Sequence, residues 1–145
     1  MNYRFKKYRP FYFFLLVALI FLSCKNAHLK IIVPNGYVGE VCLIKANVKR
    51  NELKIDSNGI GYINEETFNN LFSKPLVFDE SGKDLSENCV EYNPSTFWAL
   101  GEAESPQSNR IIHFMSFEIV PDSLKGIYQY YNVDLFKVVD TTKIK

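Results

Sequence analysis

The pattern of apolar residues changes once along the chain, near residue 23. Residues 11–22 (FYFFLLVALIFL) form a continuous apolar run of 12 residues, whereas a helix that spans a membrane needs about 20. After residue 28 the apolar residues come in short β-branched and aromatic runs separated by turn residues, which is typical of strands. The pattern predicts an N-terminal hydrophobic segment followed by a single β-rich domain over residues 29–140, with a tail at residues 141–145.

One turn signal in the β-rich part is especially strong. Asn58-Gly59 lies between the apolar runs 52–55 and 60–63. Because both central residues of a type I′ turn need a positive φ, this dipeptide predicts a hairpin. The other strands are predicted over residues 29–33, 38–48, 76–78, 89–92, 96–100, 110–120 and 128–139.

A short helix is predicted over residues 64–72. Asn64 is a good N-cap, the acidic residues Glu65 and Glu66 suit the positive end of the helix dipole, and apolar residues then recur at helical spacing. With one helix among many short strands, the expected fold class is all-β, mainly antiparallel, arranged as a sandwich or half-open barrel.

The residues around the hydrophobic run indicate export. The first ten residues carry four basic side chains and no acid, and small residues follow the run. This order is that of a secretory signal, predicted over residues 1–23 and excluded from the fold.

The end of this segment, Phe21-Leu22-Ser23-Cys24, resembles the lipobox of bacterial lipoproteins, although Phe21 stands where Leu is commonest. The segment is then a lipoprotein signal, an ordinary signal peptide or an uncleaved anchor, and in the last two cases Cys24 is incidental. The resemblance implies cleavage before Cys24 and acylation of Cys24, so that the membrane is a partner through the attached lipid. It also implies an outer-membrane destination, because Lys25 is not the Asp that signals retention in the inner membrane, and an orientation facing the periplasm. Residues 24–28 then form a tether of about 13 Å.

A second resemblance covers the start of the mature chain. The segment Val33-Pro34-Asn35-Gly36-Tyr37-Val38-Gly39-Glu40-Val41, followed by the hairpin that contains Gly59, resembles the opening of a small uncharacterised bacterial domain often found after a lipoprotein signal. The resemblance implies location and a β-rich fold. It assigns no catalytic residue.

Composition and charge narrow the function. The chain of 145 residues has a net charge of +1. Since the signal holds four basic residues and no acid, the mature part has 13 basic and 16 acidic residues. A mildly acidic domain is not expected to bind nucleic acid. The spacing of His, Cys and acidic residues matches no zinc motif, and the turn at residues 79–84 lacks EF-hand spacing, so neither a metal nor a cofactor is expected.

Three residues outside the tether offer reactive side chains. Cys42 and Cys89 are the thiols left in the mature chain, and in an oxidising compartment they either form a disulfide or stay buried as free thiols. His113 lies in the strand-like run IIHFMSF and is the candidate base of a small periplasmic hydrolase. No nucleophile motif supports that hypothesis.

Aromatic residues supply the best indication of binding. Tyr128, Tyr130 and Tyr131, together with Trp98, either pack in the core, which is the more common role of such rings, or offer at least one exposed ring to a protein or glycan of the envelope. The favoured hypothesis is therefore a non-enzymatic, membrane-anchored binding domain. The alternatives are the hydrolase that uses His113 and an inhibitor or immunity-type lipoprotein.

Overall fold

The computed structural model describes residues 28–71, 73–104 and 110–144. The predicted signal and the lipidation site Cys24 lie outside the described residues. The described part forms seven strands and two short helices. In chain order they are β1 Lys30–Val33, β2 Gly39–Lys45, β3 Ile60–Ile63, α1 Glu65–Asn70, β4 Leu76–Asp79, β5 Cys89–Val90, β6 Ala99–Glu104, β7 Ile111–Ile119 and α2 Leu135–Val138. Single 3₁₀ turns lie at Ser86–Asn88 and Asp122–Leu124.

The strands form two sheets. Strands β3, β2, β7 and β5 lie side by side in that order, β6 also pairs with β7, and β1 pairs with β4 in a separate sheet. The long strand β7 is antiparallel to β2, β5 and β6. The pairs β1–β4 and β2–β3 are parallel. The fold is mostly β with few helices, as the strand pattern predicts.

The segment 52–55 joins the two sheets edge to edge. The backbone of Ile32 in β1 exchanges hydrogen bonds with Leu53 and Ile55, and Glu52 exchanges two with Tyr62 in β3. On the far side, Asp84 bridges to Phe78 in β4 before the chain enters β5. The neighbouring strands therefore follow one another around a half-open barrel.

Apolar side chains form one core inside this barrel and another on its outer surface. The inner core contains Val41 and Leu43 of β2 and Met115 and Phe117 of β7, all at most 1% exposed. The alternate residues of the same strands, including Cys42, Ile44 and Ile112, form the outer core, which is covered by Leu135 and Val139. Because successive side chains of a strand point to opposite faces of the sheet, these strands contribute apolar side chains to both cores.

The predicted hairpin is confirmed, but its turn type is wrong. Glu52 and Tyr62 pair in the antiparallel sense, yet only Gly59 of the turn has a positive φ, at 86°. The Asp56 carboxylate accepts hydrogen bonds from the backbone N–H groups of Asn58 and Ile60, both at 2.9 Å. This side-chain bonding fixes a longer turn than the I′ geometry.

The predicted helix is confirmed as α1. Asn64 caps it by accepting a hydrogen bond from the Thr67 N–H at 2.8 Å. The predicted strand over residues 128–139 is wrong: residues 128–134 belong to no strand, and α2 follows them. Residues 141–144, predicted as a tail, are attached to the domain, since the Lys143 carbonyl accepts a hydrogen bond from Asn47.

Within the described residues, the helices are all too short to cross a membrane.

Candidate functional site

The last part of the chain crosses the outer face of the barrel sheet. We call residues 127–144 the C-terminal strap. Its apolar residues, among them Val133 and Leu135, pack on the outer core. Within the described residues, the backbone of positions 128–133 forms no hydrogen bond with the backbone of the sheet. Other groups must therefore satisfy these backbone donors.

Glu118 of β7 is the main acceptor for the strap. Its side chain is fully buried. One carboxylate oxygen accepts the Gln129 N–H at 2.6 Å, and the other accepts the Tyr131 N–H at 2.6 Å. Hydrogen bonds to an ionised acceptor are short and strong. The carboxylate thus accepts the hydrogen bonds that the backbone of a neighbouring strand would otherwise accept.

Glu40 lies directly opposite Glu118 on β2. It is half-buried, and burial is the main cause that raises its pKa above the ordinary value of 4.5, with the nearby Glu118 charge adding to the rise. Hydrogen bonds from Ser116 and from the Val133 backbone act in the opposite direction. The two carboxyl groups together therefore receive three backbone donors of the strap, at positions 129, 131 and 133.

The residue between the two N–H groups that Glu118 binds has an unusual backbone conformation. Tyr130, between the two bonded N–H groups, has a φ of +59°, a region that residues other than glycine rarely enter. Its side chain is 80% exposed. The structure thus holds a large aromatic ring out in solvent at a backbone position that costs about 1–2 kcal/mol.

Tyr130 belongs to a group of three rings that we call the tyrosine cluster, formed by Tyr92, Tyr128 and Tyr130. The Tyr128 ring meets Tyr130 edge to face at 4.9 Å between centroids and Tyr92 at 5.7 Å. Tyr92 is 60% exposed. Burial, followed by the charges of Glu118 and Glu40, raises the pKa of Tyr128 to about 12, so its hydroxyl is neutral.

The predicted aromatic residues are only partly brought together. Tyr131 is half-buried beside the cluster. Trp98 is 2% exposed in the inner core, where it packs against Phe97 and Phe117 and donates its indole N–H to the Ser73 carbonyl at 3.2 Å. Trp98 is therefore not part of the exposed surface. Sequence reasoning missed Tyr92, which lies 36 positions before Tyr128.

The structure resolves the cysteine alternatives in favour of two free, buried thiols. Cys42 belongs to the outer core and Cys89 to the inner core, and β7 lies between their strands. Side chains on opposite faces of a sheet cannot reach each other to form the bridge. Burial raises the pKa of Cys89 to about 12 and raises that of Cys42 as well.

His113 forms a pair with an acidic residue of the neighbouring strand. Its Nδ1 atom lies 2.9 Å from a carboxylate oxygen of Glu102, and the two residues are directly opposite in the register of β6 and β7. Both side chains are substantially exposed. Among the described residues, no hydroxyl or thiol is hydrogen-bonded to this ring. The pair is thus a base with an orienting carboxylate and without a nucleophile.

The oxygen-rich turn at residues 79–84 is occupied by its own donors. The Asp79 carboxylate accepts hydrogen bonds from the Ser81 N–H and hydroxyl and from the Lys83 N–H. Among the described residues, no group of three His, Cys, Asp or Glu side chains is placed to hold a metal ion. His28, in the predicted tether, contacts the Lys74 carbonyl at 2.9 Å.

Comparisons with known proteins give little similarity. No family model and no curated protein sequence matches the chain. A crystal structure described as that of a "Putative Lipoprotein from Bacillus anthracis" aligns with a TM-score of 0.38 and 9% identity, covering 74% of this chain and 86% of that chain.

Proposed function

We propose that this chain is a lipid-anchored, non-enzymatic binding domain of the bacterial cell envelope, and that it contacts an envelope protein or glycan through the tyrosine cluster. The anchor is Cys24, whose thiol receives a diacylglycerol before residues 1–23 are removed and whose new amine is then acylated. The mature protein faces the periplasm from the outer membrane. The anchor keeps the domain close to the bilayer, where partners of the envelope are abundant.

The observation that carries this proposal is the exposed Tyr130 ring on a strained backbone. Strained residues persist where the surrounding structure determines them, and they concentrate at functional sites. Here the fully buried Glu118 fixes both neighbouring N–H groups. Aromatic rings with a phenolic hydroxyl combine apolar contact area with a hydrogen-bonding group, and few rotamers are lost when they bind.

The partner can be captured in the native envelope with a photo-crosslinking amino acid at position 130. The matched control carries the same amino acid at position 76, because Leu76 of β4 is also an exposed large apolar residue and lies in neither the tyrosine cluster nor the C-terminal strap. We expect a specific adduct from position 130 only, and its loss when Tyr92→Ala is added. Equal adducts from both positions would contradict the proposal.

The anchor needs a separate test. We expect mass spectrometry of the N-terminal peptide of the wild-type chain to find Cys24 as the first residue, carrying acyl groups. The Cys24→Ala chain should carry no acyl groups and should keep residues 1–23, because cleavage follows lipidation of the thiol. A wild-type N-terminal peptide without acyl groups would show that acylation at Cys24 is wrong.

The hydrolase remains the second candidate, because His113 does lie within hydrogen-bonding distance of Glu102. If the chain hydrolyses an envelope ester or amide through this pair, His113→Ala should abolish turnover and Tyr130→Ala should not. The crosslinking result is independent of this outcome.

A further inference from the structure

In the part of the chain that the structure describes, only one edge of strand β6 is paired. All six of its residues pair with β7, from Ala99 opposite Ser116 to Glu104 opposite Ile111. Within the described residues, none of them forms a backbone hydrogen bond to any other segment. Because alternate residues of an antiparallel strand point their N–H and C=O groups to opposite sides, half of the strand's backbone groups face away from β7.

Of the usual protections of an edge, β6 has charged side chains, Glu102 and Glu104, but neither a proline nor a bulge. Natural edge strands are shielded by proline, bulges, charged side chains or a covering segment. The sequence ALGEAE of β6 contains no proline, and its register with β7 has no bulge. Leu100 is 68% exposed, and Ile111 of β7 is 45% exposed. Such an edge is a template for an added strand.

A hollow lies against β6 on each face of the sheet. On one face, a hollow of about 320 Å³ is lined by Phe68, Leu100, Glu102 and His113. On the other, a hollow of about 480 Å³ is lined by apolar residues, among them Ala103, Phe114 and Phe136, and by the polar residues Glu102, Asn132 and Asp134. The Phe114 ring lies against Gly101, where an added Cβ would come within 2.4 Å of it. An added strand would place its alternate side chains in these two hollows.

We propose that β6 binds an extended peptide segment as an additional strand, with basic side chains alternating with apolar ones. Backbone hydrogen bonds provide affinity in this mode and the flanking hollows provide specificity. This goes beyond the proposed function, because none of the residues involved belongs to the tyrosine cluster.

The side chains on the two faces of β6 determine which residue types alternate in the bound peptide. Glu102 and Glu104 are exposed on one face of β6, and they would attract Lys or Arg side chains of the added strand. Two other charged or titratable side chains belong to this part of the sheet. His113 contacts Glu102, and Arg110 is exposed just before β7. The opposite face offers Ala103 and Phe114, which suit apolar side chains. A peptide strand sends successive side chains to opposite faces, so it meets both surfaces at once.

The probe is a synthetic peptide of alternating lysine and valine, as long as β6 and capped at both ends. It is titrated into the full chain purified in detergent, with a peptide of alternating glutamate and valine as its charge-reversed counterpart. We expect the lysine peptide to bind about tenfold more tightly than the glutamate peptide. We also expect it to slow hydrogen exchange at the β6 amides.

Protein variants test where the peptide binds. Glu102→Lys combined with Glu104→Lys should invert the preference, so that the glutamate peptide binds more tightly. The matched control is Glu80→Lys combined with Glu87→Lys, two exposed acids away from β6, which should leave the preference unchanged. Equal affinity of the two peptides, or amide protection outside the β6–β7 hairpin, would overturn the proposal.

Backbone methylation of the peptide separates strand addition from charge attraction. N-methyl groups at the alternate positions that face β6 should abolish binding, and the same groups at the other positions should leave it intact. If both methylated peptides bind like the parent, no strand is added. Self-association through β6, detected as concentration-dependent amide protection without peptide, would also overturn the proposal and assign this edge to a second copy.

Discussion

Two neighbouring glutamates of the sheet make different contributions to stability. Both oxygens of Glu118 accept a backbone N–H at 2.6 Å, so both acceptors of this fully buried side chain are used. Glu40, directly opposite, has its pKa raised chiefly by burial. Substitution by glutamine should therefore destabilise the fold at Glu118 and should not at Glu40.

We expect Glu118→Gln to lower the free energy of unfolding by about 2–3 kcal/mol. The amide keeps one acceptor, but its NH₂ group faces a backbone N–H of the strap, and that donor loses its partner. Urea denaturation measures the change, with the exposed Glu87→Gln as the control, expected to lie within about 0.5 kcal/mol of wild type. Equal effects of the two substitutions would show that Glu118 does not hold the strap.

Glu40→Gln should change the pH dependence of stability. Because the folded-state pKa of Glu40 lies above 4.5, its contribution to stability is fully present below that pH and is lost as the pH rises through the folded-state pKa. Glutamine stays neutral and avoids this loss. The variant should thus gain stability relative to wild type as the pH rises above 4.5 in urea titrations. A difference that does not vary with pH would contradict this assignment.

At the scale of single residues, the sequence indicates which kinds of side chain are present better than it indicates the contacts they make. The run of tyrosines leaves open whether the rings pack in the core or face solvent, and the structure exposes Tyr130 while it partly buries Tyr128. Nothing near Glu118 in FEIV indicates its role, because its donors lie 11 and 13 positions later and are backbone groups. The sequence around Trp98 does not indicate whether its indole ring is buried or exposed.

Among the structural elements, two glycines in turns share a positive φ and differ in the space around them. Gly59 has a φ of +86°, and an added Cβ would lie 2.2 Å from the Glu40 carbonyl oxygen. Gly82 has a φ of +89° with nothing within 4 Å of the added Cβ. Comparing alanine substitutions at the two positions therefore separates the cost of backbone strain from the cost of a steric clash with β2.

Gly82→Ala should destabilise the fold by about 1 kcal/mol, the cost of a left-handed alanine. Gly59→Ala should cost at least twice that, because a backbone atom of β2 cannot move aside as a flexible side chain can. Thermal unfolding of the two variants checks the order. A Gly59→Ala protein as stable as Gly82→Ala would show that the turn can move away from β2.

Strand positions in this chain were predictable, whereas strand partners were not. The nearly continuous apolar runs of β2 and β7 locate both strands, because each strand buries side chains on both of its faces. The parallel pairs β1–β4 and β2–β3 depend on contacts between segments far apart in the chain. The apolar alternation of residues 128–139 resembles a strand, but Tyr130 has a left-handed backbone and a carboxylate replaces the partner strand.

The whole molecule has two cores separated by one sheet. The inner core lies inside the barrel and includes Cys89, while the outer core lies under the C-terminal strap and includes Cys42. Elements with few backbone hydrogen bonds open locally at a lower cost than global unfolding. The strap should therefore open without the barrel, and the two thiols report on the two events separately.

Thiol labelling should reveal this difference. In wild type at neutral pH we expect slow reaction at both cysteines, since both are buried and the pKa of each is raised. Glu118→Gln should speed labelling of Cys42 by about 30-fold, which corresponds to a loss of about 2 kcal/mol of hydrogen bonding to the strap. Cys89 should speed up much less in the same sample, because its exposure needs the barrel to open. Peptide mass spectrometry measures both rates at once, and equal acceleration would mean that the strap and the barrel open as a single unit.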